Sequence, residues 1–123
     1  MTAKTIGDKG ENVALNYCLS KGYELVERNY RSRYGEIDII LKDDQYIIFA
    51  EVKTRKYDSI ATPSEFVDNR KRKRILMTAA IYLDENPTDL QPRFDVIEII
   101  YDTFIHINHI ENAFYQTDDY SVF

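Results

Sequence analysis

The sequence predicts a mixed α/β domain, one sheet with helices packed on it, in the order α-β-β-β-α-β-β. Two apolar runs, residues 36–41 and 46–53, flank a short polar turn and read as an antiparallel hairpin. Segments with helical apolar spacing stand before and after that hairpin. Two more strand-like runs, 93–100 and 104–110, follow the second helical segment. A chain of 123 residues holds one domain with a real core and not two.

The first helix is expected over residues 8–21. Asp8 and Glu11 have capping-box spacing, with Asp in place of Ser or Thr. Val13, Ala14, Tyr17 and Cys18 recur at helical intervals. Gly22 then supplies a C-terminal stop. Residues 23–31 read as a strand, although a heavily charged one. Residues 42–45 are turn material, and 54–61 lack an apolar period and read as a loop. Thr62-Pro63-Ser64-Glu65 again has a capping-box pattern, with Pro at the first helical position. A helix from there to about Asp84 would bury Ile75, Leu76, Ala79, Ala80 and Leu83. Asp68 is an alternative start. Residues 111–115 suit one short helical turn, and the acidic tail 116–123 is expected to fray.

Nothing addresses the chain to a membrane. Residues 1–10 contain no apolar signal core, and the strongest apolar run, 46–50, is far shorter than a span. Cys18 is the one cysteine, so no internal disulfide forms, which suits a reducing cytoplasm. The net charge of −5 hides an asymmetry. Residues 1–74 carry 15 Lys and Arg against 12 Asp and Glu, while 75–123 carry 1 against 9. The basic residues gather in Arg28-Asn29-Tyr30-Arg31-Ser32-Arg33 and Arg70-Lys71-Arg72-Lys73-Arg74. A phosphate backbone feels a local stripe of this kind rather than net charge. Either cluster alone also reads as a solvated face.

The chemistry centres on the hairpin. Asp38 lies in Gly35-Glu36-Ile37-Asp38-Ile39-Ile40, an unnatural core choice for a strand. Glu51 and Lys53 are two apart in the next strand and share a face. A four-residue turn, 43–46, pairs Lys42 with Ile47 and sets Asp38 opposite Glu51. A two-residue turn makes them diagonal neighbours, and a three-residue turn puts them on opposite faces. Two neighbouring carboxylates repel unless a proton or cation sits between them. Mg²⁺ typically takes one or two carboxylates plus waters and substrate phosphate. Lys53 beside them could orient water or neutralise developing charge. The alternative is a surface salt-bridge network of little energetic weight.

Asp38 followed after twelve residues by Glu51-Val52-Lys53 resembles the PD-(D/E)XK signature of restriction-endonuclease-like nucleases, with Ile37 where that name has Pro. A fuller pattern runs in order along the chain. It comprises Gly10-Glu11, Arg28-Asn29-Tyr30-Arg31, Gly35-Glu36-Ile37-Asp38, Glu51-Val52-Lys53-Thr54-Arg55, the basic run before Ala79-Ala80, Tyr82-Leu83, and Arg93-Phe94-Asp95-Val96. Together these resemble the YraN family of bacterial proteins, which is similar to archaeal Holliday-junction resolvases. The resemblance implies a restriction-endonuclease-like fold, a mixed central sheet flanked by helices, over residues 1–123. It implies Asp38 and Glu51 as ligands of Mg²⁺ or Mn²⁺, the Val52 carbonyl as a third ligand, and Lys53 as the catalytic lysine. Glu11 would complete the site directly or through water, or cap its own helix, or both. Glu36 would support Asp38. Arg31, Arg55, Lys71 and Arg74 would contact phosphates. The function so implied is metal-dependent hydrolysis of DNA, branched or structured DNA included. The alternative is a nucleic-acid-binding module without turnover. Junction resolution would need a homodimer, with 104–110 as a candidate edge. His106 and His109 would face opposite ways on a strand and read as structural, and Arg93 with Asp95 as an ion pair on one strand.

Overall fold

The computed structural model describes residues 3–57 and 69–114, with side chains from Asp8 onward. Its elements are α1 (Ala3–Ser20), β1 (Glu24–Arg31), β2 (Glu36–Lys42), β3 (Tyr46–Lys56), α2 (Asn69–Glu85), β4 (Gln91–Tyr101) and β5 (Ile105–Phe114), the order expected. One sheet runs β1-β2-β3-β4-β5. Every neighbouring pair is antiparallel except β3 and β4, which are parallel and joined through α2. A parallel pair needs such a crossover, and its strands are buried on both faces. This is why Ile47-Ile48-Phe49-Ala50 and Val96-Ile97 read as continuous apolar runs rather than alternating ones.

Helix α2 covers one face. Ile75, Leu76, Ala79 and Tyr82 pack on Ile40, Ile47, Phe49, Phe94 and Phe114. Phe49 stacks on Phe94 at 5.4 Å and meets Tyr82 edge-on at 5.9 Å, favourable aromatic geometries. Helix α1 covers the other face through Ala14 and Cys18, against Ile39, Ile48, Ala50 and Ile97. Burial pushes the Cys18 thiol up to about 11, so it serves as a small apolar side chain and not as a nucleophile.

The hairpin has the four-residue turn. Lys42 pairs with Ile47, and the ladder runs to Ile39 opposite Ala50. The Asp43 carboxylate fixes this register by accepting from the backbone N–H groups of Gln45 and Tyr46 at 2.8 and 2.7 Å, as turn Asp residues do. At the end of α1, Gly22 has φ +97°. The Gly22 N–H donates to Leu19 O and the Tyr23 N–H to Cys18 O, both at 3.1 Å. This is a Schellman cap, which glycine adopts without strain.

Three expectations are corrected. Helix α1 starts at Ala3, not Asp8, so Asp8 and Glu11 lie inside it and form no capping box. An exposed Asp within a helix costs under about 1 kcal/mol and need not mark an end. Residues 54–56 are strand, because β4 runs on to Tyr101 and pairs with β3 as far as Lys56. Residues 111–114 are strand rather than a helical turn. Phe114 pairs with Phe94 across a bulge at which Asn112 takes φ +52°. The capping pattern at Thr62, the alternative start at Asp68 and the tail 116–123 lie outside the described residues.

A buried polar bridge ties α1 to β4 and β5. Arg93 donates to both Asp95 oxygens, Nε at 2.9 Å and Nη2 at 2.8 Å. The Asn112 N–H donates to Asp95 Oδ1 at 3.0 Å. His109 Nε2 lies 2.7 Å from Asp95 Oδ2, and its Nδ1 lies 3.0 Å from the Tyr17 hydroxyl. His109 is therefore structural, and His106 stands exposed on the opposite face of β5.

Gly10 is buried where α1 crosses β3, and a Cβ there would collide with Thr54 Oγ1. Thr54 is β-branched, so rotating its hydroxyl away brings its methyl into the same space. Gly10→Ala is expected to cost roughly 1–3 kcal/mol, read from urea unfolding midpoints. It should also displace Glu11 from its neighbours. An unchanged midpoint would mean that α1 lifts off β3 at little cost.

Candidate functional site

Strand alternation decides where the charged residues of β3 point. Ile47 and Phe49 face α2, and Ile48 and Ala50 face α1. Glu51 and Lys53 therefore follow Phe49 onto the α2 face. Asp38 lies one position beyond the last β2–β3 ladder pair, next to Glu51. Its Oδ2 accepts the Val52 N–H at 2.8 Å. The N–H and C=O of one strand residue project from the same edge. The Val52 carbonyl thus also faces β2, beside the two carboxylates. The even-turn requirement is met, and all three groups share one site.

Glu11, Glu36, Asp38, Glu51 and Lys53 line an open cleft of about 780 Å³. The facing wall is the first turn and a half of α2, where Arg70, Lys71 and Arg74 project. Gly35 faces this wall, where an added Cβ would reach ordinary van der Waals contact with Arg74 Cβ at 3.4 Å. Ser32 and Thr78 hold the β1–β2 turn to α2 through a hydroxyl contact of 2.8 Å.

The site's charges are strained. Glu51 is 4 % exposed. Burial, then the neighbouring Asp38 charge, push its carboxyl up to about 7 against the pull of Lys71 and Lys53. Burial also raises Asp38, opposed by the Val52 N–H and the two lysines. Lys53 is lowered by burial, then by its hydrogen bond to Lys71 and that residue's charge. For Lys71 burial works against the charge, but Glu51 and the hydrogen bonds to Lys53 and Glu51 outweigh it and raise the group. Lys71 Nζ is 2.9 Å from Glu51 Oε2. Shifted groups facing one cleft are the usual mark of a functional site.

Glu11 reaches the cleft from α1, and the corrected helix start removes its reading as a cap. Burial and the charge of Asp38 raise it, while Arg28, 3.9 Å away, opposes. Asn29 is a site residue that sequence pattern does not single out. It has φ +54° and lies opposite Asp38 in the β1–β2 register. With its amide nitrogen turned to the carboxylates, it donates to Glu36 Oε1 at 2.9 Å and Glu11 Oε1 at 3.3 Å. Asn tolerates the left-handed region better than most residues, which is the one local signal for it.

Lys71 and Arg74 line the cleft as the phosphate reading requires, and Arg70 joins them. Arg31 and Arg55 do not line it. Arg31 Nε pairs with Glu36 Oε2 at 3.0 Å on the surface. Arg55 Nε pairs with the buried Glu98 Oε2 at 2.8 Å. Arg31 is therefore a rim charge, and Arg55 helps to satisfy Glu98.

Among the described residues no three His, Cys, Asp or Glu side chains converge as a ready cage for a metal ion. Glu11 lines the same cleft as Asp38 and Glu51. The donor set still fits a hard divalent ion. A buried and a half-buried carboxylate disfavour each other's charge, a backbone carbonyl stands on the same edge, and Mg²⁺ keeps most of its remaining positions for water and phosphate.

The fold and cleft define a mixed α/β protein with a strand-borne acidic pair facing a basic helix. The chain belongs to the Uncharacterised protein family UPF0102, whose model matches residues 10–99 and so spans every site residue above. It is 50 % identical over 115 residues to a UPF0102 protein of Clostridioides difficile, covering 93 % of this chain and 100 % of that one. It is 41 % identical to a UPF0102 protein of Caldanaerobacter subterraneus, over 90 % of this chain and 95 % of the relative. The figures for a UPF0102 protein of Alkaliphilus oremlandii are 44 %, 90 % and 98 %. No helix among the described residues is long and apolar enough to cross a membrane.

Proposed function

We propose that this chain is a Mg²⁺- or Mn²⁺-dependent endonuclease acting on DNA, branched or structured DNA included, in the cytoplasm. The observation that carries this reading is the convergence of Asp38, Glu51 and Lys53 on one face, opposite Lys71 and Arg74. Asp38, Glu51 and the Val52 carbonyl would hold the ion. Bound there, the ion supplies Lewis-acid stabilisation of a phosphodiester undergoing attack. The chain's own residues do the rest. Lys53, with its ammonium form disfavoured by burial and by Lys71, can accept a proton from an attacking water or orient it. Arg70 and Arg74 position the backbone phosphates. Glu11, held by Asn29 and Arg28, organises water at the rim. Cutting both strands of a junction calls for two copies related by a two-fold axis. The β5 edge, the last strand of the sheet among the described residues, with Ile105 and Ile107 exposed, is the surface proposed for that contact.

A second reading is a DNA-binding module without turnover, favoured by the ion pair that already engages Glu51. One experiment separates the two. The pure chain is incubated with linear, single-stranded and four-way-junction DNA and Mg²⁺ or Mn²⁺, beside Asp38→Asn and Lys53→Ala. Cleavage reduced at least about 100-fold in both variants is the expected result. Salt-dependent binding without cleavage, unchanged by either substitution, would establish the module instead.

A further inference from the structure

Lys71 was expected to contact phosphate, but in the free protein its ammonium is engaged elsewhere. Its Nζ lies 2.9 Å from Glu51 Oε2, inside the acidic pair's reach, and hydrogen-bonds Lys53. It stands in the first turn of α2, a helix with no acidic residue in that turn. The helix dipole and the neighbouring Arg70 and Arg74 both disfavour a cation there. The ion pair with Glu51 offsets that cost. A single positive charge balances one of two carboxylates, and a divalent ion balances both. The Lys71 side chain is one-third exposed on a flexible stem, so it can swing from Glu51 into the open cleft.

We infer that Lys71 is the resident counter-ion of the Asp38–Glu51 pair: it competes with the divalent ion for Glu51 and, once displaced, binds nucleic-acid phosphate. This rests on the metal-dependent reading above and adds a regulatory step to it. Metal loading and backbone binding become linked through one side chain, and the linkage is reciprocal. The free protein keeps its acidic pair partly neutralised. Phosphate draws Lys71 away and opens Glu51 to the ion.

The test is Mn²⁺ titration of the full chain, by calorimetry or by the spin-resonance signal of free Mn²⁺, with and without a short DNA duplex. Circular dichroism confirms that each variant is folded. Without DNA, Lys71→Met is expected to bind Mn²⁺ at least about tenfold more tightly than wild type, through a site lost in Asp38→Asn. Lys71→Gln, which keeps a donor for Glu51, should tighten binding by a smaller factor. It also serves as the readout if the methionine variant does not fold. Duplex DNA should raise the wild-type affinity for Mn²⁺, and much less so that of Lys71→Met. Equal or weaker Mn²⁺ binding by both Lys71 variants, with wild-type binding still dependent on Asp38, would overturn the counter-ion role and leave the metal site standing. Absence of any Asp38-dependent Mn²⁺ binding would overturn both.

Discussion

Asp95→Ala is expected to cost roughly 3–5 kcal/mol of folding stability at pH 7, the largest effect of any single substitution outside the apolar core. Asp95 is 1 % exposed and Arg93 7 %. The carboxylate accepts two bonds from Arg93 and one from the Asn112 backbone, and meets His109 Nε2. Removing it leaves the buried guanidinium with the more distant, exposed Glu111 at 3.9 Å in place of its close paired charge, and takes the acceptor from His109 Nε2 and the bulge N–H. A buried charge that loses its partner costs far more than the intact pair contributes. The bulge at Asn112 should loosen as well, and with it the pairing of Phe114 to Phe94. Burial works against the Asp95 charge, but hydrogen bonds from His109, Arg93 and Asn112 hold its carboxyl below the ordinary value. A depressed carboxylate contributes stability above its unfolded-state value and loses it as pH falls through the folded one. Urea unfolding at pH 7 and in acid tests both points. Wild type should lose part of its advantage over Asp95→Ala in strong acid. A cost under about 1 kcal/mol at pH 7 would mean that water replaces the carboxylate, and that the bridge is not a structural tie.

The hairpin was legible in the sequence, but its turn length was left open, and only an even turn sets the acidic pair on one face. Asp43 selects the turn, the turn selects the register, and the register sets Asp38 beside Glu51. The β3 and β4 strands and the helix between them were legible, but their parallel pairing was not read from the sequence. What was not legible depends on distant partners. Thr54, Arg55 and Lys56 look like loop until β4 pairs with them and Glu98 receives Arg55. Residues 111–114 carry no strand alternation because a bulge interrupts it, and only Asp95 across the sheet explains the bulge. The basic run gave the right side for Lys71 and Arg74, but not the bond from Lys71 to Glu51. That bond follows from how α2 is seated on the sheet, where Ser32 holds Thr78. Asn29 carries almost no signal, since its role lies in one backbone angle and two carboxylates from other elements.

Glu51→Gln is expected to make the metal-free chain more stable at pH 8, by between about 1 and 3 kcal/mol, while removing the chemistry of the site. The sign follows from the carboxyl's position at about 7 in the folded protein against an ordinary 4.5. A raised value means that folding favours the protonated form. The stability it brings is fully present below about 4.5 and is lost as pH rises through about 7. Glutamine is neutral at every pH and close in shape, so the variant's advantage should be small near pH 4.5 and grow towards pH 8. The lower bound allows for the ion pair with Lys71, which glutamine weakens. Thermal melts of both proteins from pH 4.5 to 8 in the presence of a chelator measure the difference. On the proposed metal-dependent reading, millimolar Mn²⁺ should then raise the wild-type melting temperature at pH 8 and leave Glu51→Gln unmoved. If the variant is instead less stable than wild type at pH 8, the pair with Lys71 outweighs the burial of Glu51. The carboxylate would then be a structural ion-pair partner rather than a ligand held ready at a cost to the fold. A residue that lowers stability when charged, and sits where two strands and a basic helix converge, fits a site kept for chemistry better than one kept for folding.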